Sequence, residues 1–178
     1  MDIIASYQEF ILTPLSEKLA EKYAKDIILS LDQIPLTDTH TAEKILSEKK
    51  GERVLYAKWE HSVIALDNKS NFAGVIIGYE RVSEGNEQYP SNSIYLNDLA
   101  VSTQYQKRGL GKFLVQEWIA FNKQVGFKKL HGDLRFSVQT NKAEWNNHVQ
   151  KLYEAVGFKK IAEKKYDNRT DNVYSVNV

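Results

Sequence analysis

The sequence predicts a mixed α/β fold in which one mostly antiparallel sheet carries helices on both faces. Two observations indicate it. Residues 54–101 hold consecutive runs rich in β-branched and aromatic residues, whereas the chain beyond them alternates between such runs and amphipathic helical stripes. Consecutive strands usually pair antiparallel, and a strand–helix–strand unit gives a parallel pair through a right-handed crossover. The 178 residues are close to the size of one domain, so a single domain over residues 1–178 is expected.

The N-terminal part is predicted to hold one strand and two helices. Residues 7–12 are apolar and β-tolerant. Thr13-Pro14 is typical of a helix start, with an N-cap residue followed by proline at the first helical position. Apolar residues then recur at every fourth position through residues 15–31, which predicts an amphipathic helix. A second, short helix is predicted at residues 41–49.

The elements that follow are predicted from strand-like runs, polar turns and helical stripes. Four strands come first, at residues 54–59, 62–66, 73–82 and 93–101, with a polar loop at residues 84–92. The C-terminal part then gives a helix at residues 110–125, a strand at 129–136, a helix at 145–156, and strands at 158–166 and 173–176. Gly126 and Gly157 close the two helices.

Composition excludes several classes of function. The 24 Lys and Arg nearly balance the 23 Asp and Glu, so the formal net charge of +1 gives no broad attraction to nucleic acid or to an anionic membrane. The sequence has no cysteine, which rules out disulfides, thiolate metal sites and a cysteine nucleophile. Its four histidines lack metal-like spacing, so no metal is expected. No apolar run approaches the roughly 18 residues of a membrane helix, and the N-terminus lacks the features of a signal peptide, so a cytoplasmic location is expected.

The most informative segment is the turn at residues 106–112, Gln-Lys-Arg-Gly-Leu-Gly-Lys, here called the glycine turn. Gly109 and Gly111 let the backbone approach a ligand without a Cβ in the way. The start of the following helix offers free amide groups and a partial positive charge, which is where phosphate binds. Three cations stand at the same place: Lys107, Arg108 and Lys112. From these residues alone, a phosphate site and a plain tight turn with solvated cations are equal alternatives.

Two common phosphate loops do not fit the glycine turn. A P-loop needs Ser or Thr after its lysine, and Phe113 follows Lys112 here. The dinucleotide fingerprint needs a third glycine three residues after Gly111, where the sequence has Leu114. The glycine turn therefore belongs to another class.

Two ordered motifs resemble those of the GCN5-related N-acetyltransferases. Residues 106–111 match the signature Q/R-x-x-G-x-G/A, and Leu99-Ala100-Val101 ends the preceding strand, as in the "LAV" segment of that family. Asn146, followed by Leu-Tyr-Glu-Ala-Val-Gly-Phe at residues 152–158, is similar to the family segment N…LYE-x-x-GF. The resemblance is specific over about residues 95–160 and only architectural before residue 90.

The resemblance implies the acyl-CoA N-acyltransferase fold and acetyl-CoA as cosubstrate. Its sheet would be splayed between the fourth and fifth strands, residues 93–101 and 129–136, with the pantetheine arm lying in the opening. Asn146 would also contact the cofactor, and the alternative for Asn146 is a helix-start residue that satisfies its own backbone. The full set of implied cofactor-binding residues is Leu99, Ala100, Val101, Gln106, Lys107, Arg108, Gly109, Leu110, Gly111, Lys112 and Asn146.

The resemblance also implies two catalytic residues. Tyr153 matches the tyrosine that protonates the departing thiolate, and a tyrosine of ordinary pKa, about 10, is protonated at neutral pH. An ordinary core position is the alternative for Tyr153. Asp98 is the candidate general base, directly or through water, and a buried structural carboxylate is its alternative. Strict alternation would put Asn97 and Asp98 on opposite faces of their strand, and Asn97 departs from the family because an amide cannot act as a base.

The resulting hypothesis is an N-acetyltransferase that moves an acetyl group from acetyl-CoA to a primary amine, by direct attack in a ternary complex. The acceptor would be a small molecule or a protein amino group, with no nucleic acid and no membrane as partner. The alternative is a non-catalytic acyl-CoA-binding sensor or interaction module of the same fold. Dimers are frequent in this family, which leaves a homodimer open.

Overall fold

The computed structural model describes residues 2–34, 57–81, 92–128 and 130–177. These residues form eight strands, four helices and two 3-10 turns, at Thr103–Tyr105 and Glu144–Asn146. In chain order the strands and helices are β1 (Ala5–Tyr7), β2 (Phe10–Pro14), α1 (Glu17–Lys22), α2 (Ala24–Leu31), β3 (Val63–Asp67), β4 (Phe72–Arg81), β5 (Ser93–Val101), α3 (Leu110–Val125), β6 (Arg135–Asn141), α4 (Asn147–Ala155), β7 (Lys159–Lys165) and β8 (Thr170–Asn177).

The eight described strands form one sheet in the order β1-β2-β3-β4-β5-β6-β8-β7. Every pairing is antiparallel except that between β5 and β6, which α3 connects as a crossover. One buried cluster packs α1 and α2 against one face of the sheet, through residues such as Ile27 and Val75. The other packs α3 and α4 against the opposite face, through residues such as Trp118 and Tyr153. The predicted mixed, mostly antiparallel sheet with helices on both faces is confirmed.

The predicted strand at residues 7–12 is wrong, because the chain reverses within it. β1 and β2 form a hairpin in which Tyr7 pairs with Phe10 across the two-residue turn Gln8–Glu9. Gln8 takes the positive φ of 54° that such a tight turn requires at its first central position. Glycine or asparagine usually marks that position, so the sequence gives no turn signal here.

The helix start at Thr13-Pro14 is also wrong. Pro14 ends β2 opposite Val63. The next pair is hydrogen-bonded, since the Leu15 amide donates to the Ser62 carbonyl at 2.9 Å. Because such pairs alternate in an antiparallel ladder, Pro14 and Val63 form a pair without hydrogen bonds. Proline is tolerated there because no N–H is needed. Ser16 is the actual N-cap residue, since its Oγ accepts the amide of Leu19 at 3.3 Å.

Two more predicted elements differ from the structure. The helix at residues 15–31 is two helices, α1 and α2, which meet at Tyr23, whose hydroxyl donates to the Ser70 carbonyl at 2.8 Å. The strand predicted at residues 129–136 begins only at Arg135, because the Leu130 amide donates to the Glu80 carboxylate at 3.2 Å instead of joining the sheet.

Parts of the prediction lie outside the described residues. These are the helix at residues 41–49, most of the loop at 84–92 and residues 54–56 of the strand predicted at 54–59. The rest of that predicted strand lies in a turn at residues 57–60. Trp145, predicted to open a helical stripe, lies in the 3-10 turn before α4 and is 45% exposed.

Candidate active site

The strands β5 and β6 separate after three paired residues. Their parallel pairing runs from Ile94–Phe136 to Leu96–Val138, although β5 continues to Val101 and β6 continues to Asn141. Beyond the last pair, β5 stays hydrogen-bonded to β4, and β6 to β8. The result is a wedge-shaped opening between residues 97–101 and 139–141, here called the gap. It is the predicted splay, with the strand on its far side placed later in the chain than predicted.

The backbone of β5 turns hydrogen-bonding groups toward the gap. The Ser102 amide donates to the Ala73 carbonyl at 2.9 Å, which fixes the alternation of the antiparallel β4–β5 ladder. The N–H and C=O groups of Leu99 and Val101 therefore point away from β4, into the gap. Those of Ala100 face β4, and the Ala100 side chain is buried against the cluster that contains α1 and α2. Of the three predicted residues, Leu99 and Val101 offer backbone partners to an extended ligand.

A β-bulge places Asn97 and Asp98 side by side. The β4–β5 register shifts between Ile77 and Gly78, which leaves Asn97 as an extra residue in β5. Leu96 and Leu99 both pack with the cluster that contains α3 and α4, so the two residues between them face the other side of the sheet. The Asn97 amide group donates directly to the Asp98 carboxylate. The expectation that alternation separates these two side chains onto opposite faces is therefore wrong.

The glycine turn leads from the gap into α3. Lys107 and Gly109 take positive φ values of 61° and 81°, and Gly109 is the N-cap residue of α3. The Gln106 side chain donates to the Val101 carbonyl at 3.0 Å, which ties the turn to the end of β5. Leu110 is buried in the core and anchors the helix start.

The start of α3 leaves amide groups for a ligand. The first helical hydrogen bond runs from the Phe113 amide to the Gly109 carbonyl at 3.1 Å. The three preceding amides, of Leu110, Gly111 and Lys112, have no partner among the described residues, as expected in the first turn of a helix. Such amides and the helix dipole favour an anion.

Neighbouring side chains occupy the space that the two glycines leave free. A Cβ on Gly109 would lie 2.8 Å from the Tyr7 hydroxyl, and one on Gly111 would lie 3.3 Å from a methyl group of Leu152 in α4. Gly109 therefore lets the N-terminal hairpin approach the turn, and Gly111 lets α4 pack against α3.

The three cations of the turn differ in their surroundings. Arg108 forms an ion pair with Glu9 in the β1–β2 hairpin. Lys107 and Lys112 are exposed and make no ion pair within the described ranges. The two lysines are thus the cations available to a bound anion.

Asn146 anchors the other side of the gap. It is buried, and its side-chain amide group donates to the Thr140 hydroxyl and, at 2.9 Å, to the Asn141 carbonyl. It makes no side-chain bond to the backbone at the start of α4, so the alternative of a self-capping residue is not what the structure shows. Its donor group fixes the end of β6 to the turn before α4, while its carbonyl oxygen has no hydrogen bond to a described residue.

Tyr153 lies in α4, only 3% exposed, among aromatic residues of the core. Burial raises the pKa of its hydroxyl well above the ordinary value, and the negative charge of Asp98 raises it further. Tyr153 packs in the same cluster as Leu96 and Val138, the last paired residues before the gap. Tyr153 consequently remains protonated throughout the physiological pH range.

The described part of the chain also contains a cavity away from the gap. This cavity of about 530 Å³ lies beside α2 and the turn after β5, and none of the predicted site residues lines it. No group of three or more His, Asp or Glu side chains among the described residues is arranged to hold a metal ion. None of the described helices is long and apolar enough to cross a membrane.

Sequence reasoning missed the residues that contact the glycine turn from the N-terminal hairpin. Tyr7 and Glu9 lie about 100 residues away in the chain from the Arg108 that they contact. The sequence around Tyr7 and Glu9 does not indicate this contact, because it does not even indicate the hairpin turn beside which they lie.

Comparison with known proteins assigns the chain to a family. The model of the acetyltransferase (GNAT) domain matches residues 58–160, more than half of the sequence. The chain therefore belongs to the GNAT family of acetyltransferases. No curated protein sequence matches it.

Solved structures share the fold at low sequence identity. A chain of a NatC complex bound to Gag peptide and CoA superposes with a TM-score of 0.69 at 20% identity, over 96% of this chain and 99% of that one. The ribosomal-protein-S18-alanine N-acetyltransferase from Escherichia coli gives 0.62 at 19% identity, over 94% and 93%. The putative acetyltransferase yncA from Salmonella typhimurium, with acetyl-CoA, gives 0.66 at 12% identity, over 96% and 94%.

Proposed function

We propose that the protein is an N-acetyltransferase that moves an acetyl group from acetyl-CoA to a primary amine, which attacks directly in a ternary complex. One observation carries the proposal. A gap in the sheet is bordered by strand backbone that pairs with no neighbouring strand, by Asp98 and by a helix start with free amides, and Tyr153 packs in the cluster that contains the strand residues beside it. Membership of the GNAT family supports acyl-CoA chemistry at this place.

The residues around the gap fit acetyl-CoA as the first substrate. Its extended arm carries amide groups, which match the backbone groups that Leu99 and Val101 turn toward the gap, as in the addition of a strand to an open edge. Its diphosphate matches the free amides at the start of α3, with Lys107 and Lys112 beside them. Asn146 holds the end of β6 in place and presents a carbonyl oxygen to the same ligand.

Asp98 and Tyr153 would then serve the transfer from opposite sides. The amine nitrogen forms a bond to the acetyl carbon and the bond from that carbon to sulfur breaks. The nitrogen enters as an ammonium group, so it loses one proton before the attack and a second as the amide forms, and the second replaces the proton that Tyr153 gives to sulfur. A primary amine is protonated at neutral pH because its pKa is about 10, so Asp98 would accept a proton directly or through water. The Tyr153 hydroxyl, kept protonated by its surroundings, would donate to the departing sulfur.

The acceptor is proposed to be a small amine or a protein amino group. The absence of cysteine leaves no thiol to carry the acetyl group, which favours direct attack. A protein acceptor is supported by analogy, because two structural neighbours are a complex bound to a peptide and an acetyltransferase of a ribosomal-protein alanine. Both are below 25% identity, so the analogy rests on fold alone.

Calorimetric titration with acetyl-CoA, followed by an amine panel, tests the proposal. The unaltered protein should bind acetyl-CoA, and a Gly109→Ala/Gly111→Ala double variant should lose most of that binding. Peptide amines and small amines are then compared by release of free thiol. Absence of binding by the unaltered protein would refute the proposal. Binding without thiol release for any amine would favour the acyl-CoA sensor instead.

A further inference from the structure

The tip of the β1–β2 hairpin rests on the glycine turn. The Tyr7 hydroxyl donates to the Arg108 carbonyl at 3.4 Å, and the Tyr7 ring stacks on Phe113 with the ring centres 5.0 Å apart. The Glu9 carboxylate pairs with the Arg108 guanidinium. Tyr7 thus contacts the backbone of Arg108 and the first turn of α3, and Glu9 contacts the side chain of Arg108.

Arg108 is held on the hairpin side of the turn. Besides its pair with Glu9, its guanidinium carbon lies 5.3 Å from the ring centre of Phe10 and 5.8 Å from that of Tyr105. Those two rings contact each other edge to face, at 5.2 Å. The Arg108 guanidinium thus has a carboxylate and two aromatic rings as partners, all on the hairpin side.

The conformation that the hairpin supports is an unusual one. Lys107 has a side chain and yet takes a φ of 61°, and Gly109 follows at 81°. A non-glycine residue rarely occupies this left-handed region without support from its surroundings. A Cβ on Gly109 would lie 2.8 Å from the Tyr7 hydroxyl, so the hairpin packs directly against the turn at this glycine.

We infer that Glu9 and Tyr7 are positioning residues for acetyl-CoA, and that Arg108 is the anchor through which they hold the glycine turn. This inference rests on the proposed function, since it assigns that turn to the diphosphate. In this role the backbone of Arg108 forms part of the ligand site, whereas its side chain binds Glu9 in the hairpin. The inference differs from the sequence expectation, which counts Arg108 among the cations that face the phosphate.

The two roles of Arg108 predict opposite effects when Glu9 loses its charge. If Arg108 were a phosphate ligand, Glu9→Gln would release its guanidinium and tighten the binding of an anionic ligand. Long-range electrostatics act in the same direction, because the variant removes a negative charge near an anion. If Glu9 is a positioning residue, the variant loosens the turn and weakens binding in spite of its more positive charge.

The test is calorimetric titration with acetyl-CoA of the unaltered protein, Glu9→Gln and the control Glu60→Gln, an exposed glutamate with the same change of charge. We expect Kd to rise about threefold in Glu9→Gln, the size of an exposed ion pair, and to stay unchanged or fall slightly in Glu60→Gln. Tyr7→Leu should raise Kd about fivefold, because it removes both the stacking and the hydroxyl. In turnover assays KM for acetyl-CoA should rise with Kd while kcat is retained.

The charge-swapped variant Glu9→Arg/Arg108→Glu separates the two roles further. It restores the pair with reversed sign, so affinity should return to within about twofold of the unaltered protein. A phosphate-binding Arg108 predicts the opposite, since the swap would place a carboxylate beside the phosphate. Unchanged or tighter binding by Glu9→Gln, or no recovery in the swapped variant, overturns the inference while the proposed function stands. Failure of the unaltered protein to bind acetyl-CoA overturns both.

Discussion

The carboxylate of Asp98 raises the pKa of the Tyr153 hydroxyl, although the two side chains lie on opposite faces of the sheet. A closed sheet would separate them by a layer of backbone and side chains. Between them, β5 and β6 part after Leu96, and the bulge at Asn97 turns Asp98 to the face opposite α4. A group placed in the gap between them would meet an acceptor of protons on one side and a donor on the other.

Removal of the Tyr153 hydroxyl tests the donor. Tyr153→Phe keeps the ring that packs on Phe158 and Tyr174, so the core should be retained. We expect kcat to fall about a hundredfold, the lower end of the range for a general acid, with the Kd for acetyl-CoA changed by less than about twofold. Thiol release and calorimetry measure the two quantities. Tyr174→Phe is the matched control, and an equal loss of kcat in both variants would contradict a specific role for Tyr153.

The acceptor of protons is tested by Asp98→Asn, which keeps the shape of the side chain and its contact with Asn97. At neutral pH kcat should fall about a hundredfold. The remaining activity should rise steadily toward pH 10, because the free-amine fraction of an acceptor with a pKa of about 10 rises with pH. Tyr153 should impose no decline over this range, since its pKa is raised and its proton is lost only at higher pH.

A pH–rate series on the unaltered protein, Asp98→Asn and the exposed control Asp133→Asn gives the answer. If Asp98 is a purely structural carboxylate, its variant will lose thermal stability and keep the pH profile of the unaltered protein in shape.

Substitution of the two glycines of the turn is expected to lower acetyl-CoA affinity by different amounts. Gly109→Ala forces a residue with a side chain to adopt a φ of 81°, at a cost of about 1 kcal/mol or more, and it displaces the Tyr7 hydroxyl. Gly111→Ala meets only a methyl group of Leu152 at 3.3 Å, which can move by a few tenths of an ångström. Calorimetry should therefore show a larger loss of acetyl-CoA affinity for Gly109→Ala. A larger loss for Gly111→Ala would mean that the ligand passes closer to α4 than we propose.

The sequence predicts those parts of the site that depend on adjacent residues. The glycine turn and the segment around Tyr153 are predictable because each occupies a few consecutive positions with a distinctive composition. The bulge at Asn97 was missed because it depends on the register between β4 and β5, which no local residue marks. The hairpin contact with Arg108 was missed for a related reason, since it joins positions about 100 residues apart through the order of the sheet.

A buried polar network connects the sheet to α3, away from the gap. Asn122 donates to the Trp118 carbonyl at 2.9 Å, so its side-chain oxygen accepts from Nδ1 of His61 at 2.5 Å. Nε2 of His61 lies 3.0 Å from the Glu80 carboxylate, which also accepts the amides of Lys128 and Leu130. His61 thus bridges Asn122 and Glu80 through its two ring nitrogens, and the side chains of His61 and Glu80 are completely buried.

Loss of the Glu80 side chain should consequently lower the free energy of unfolding by a large amount. Glu80→Ala leaves the buried His61 ring and the amides of Lys128 and Leu130 without their acceptor, and removing one partner of a buried pair typically costs about 3–5 kcal/mol. At about 2–4 °C per kcal/mol for a chain of this size, Tm should fall by roughly 10 °C. Thermal unfolding followed by circular dichroism measures it. Glu163→Ala is the control: hydrogen bonds from Lys142 and Lys160 lower the pKa of Glu163 to about 2, but its side chain is 32% exposed and solvent screens its pairs, so the Tm of the variant should change little. Equal shifts in the two variants would mean that water reaches the His61–Glu80 pair and replaces the lost carboxylate.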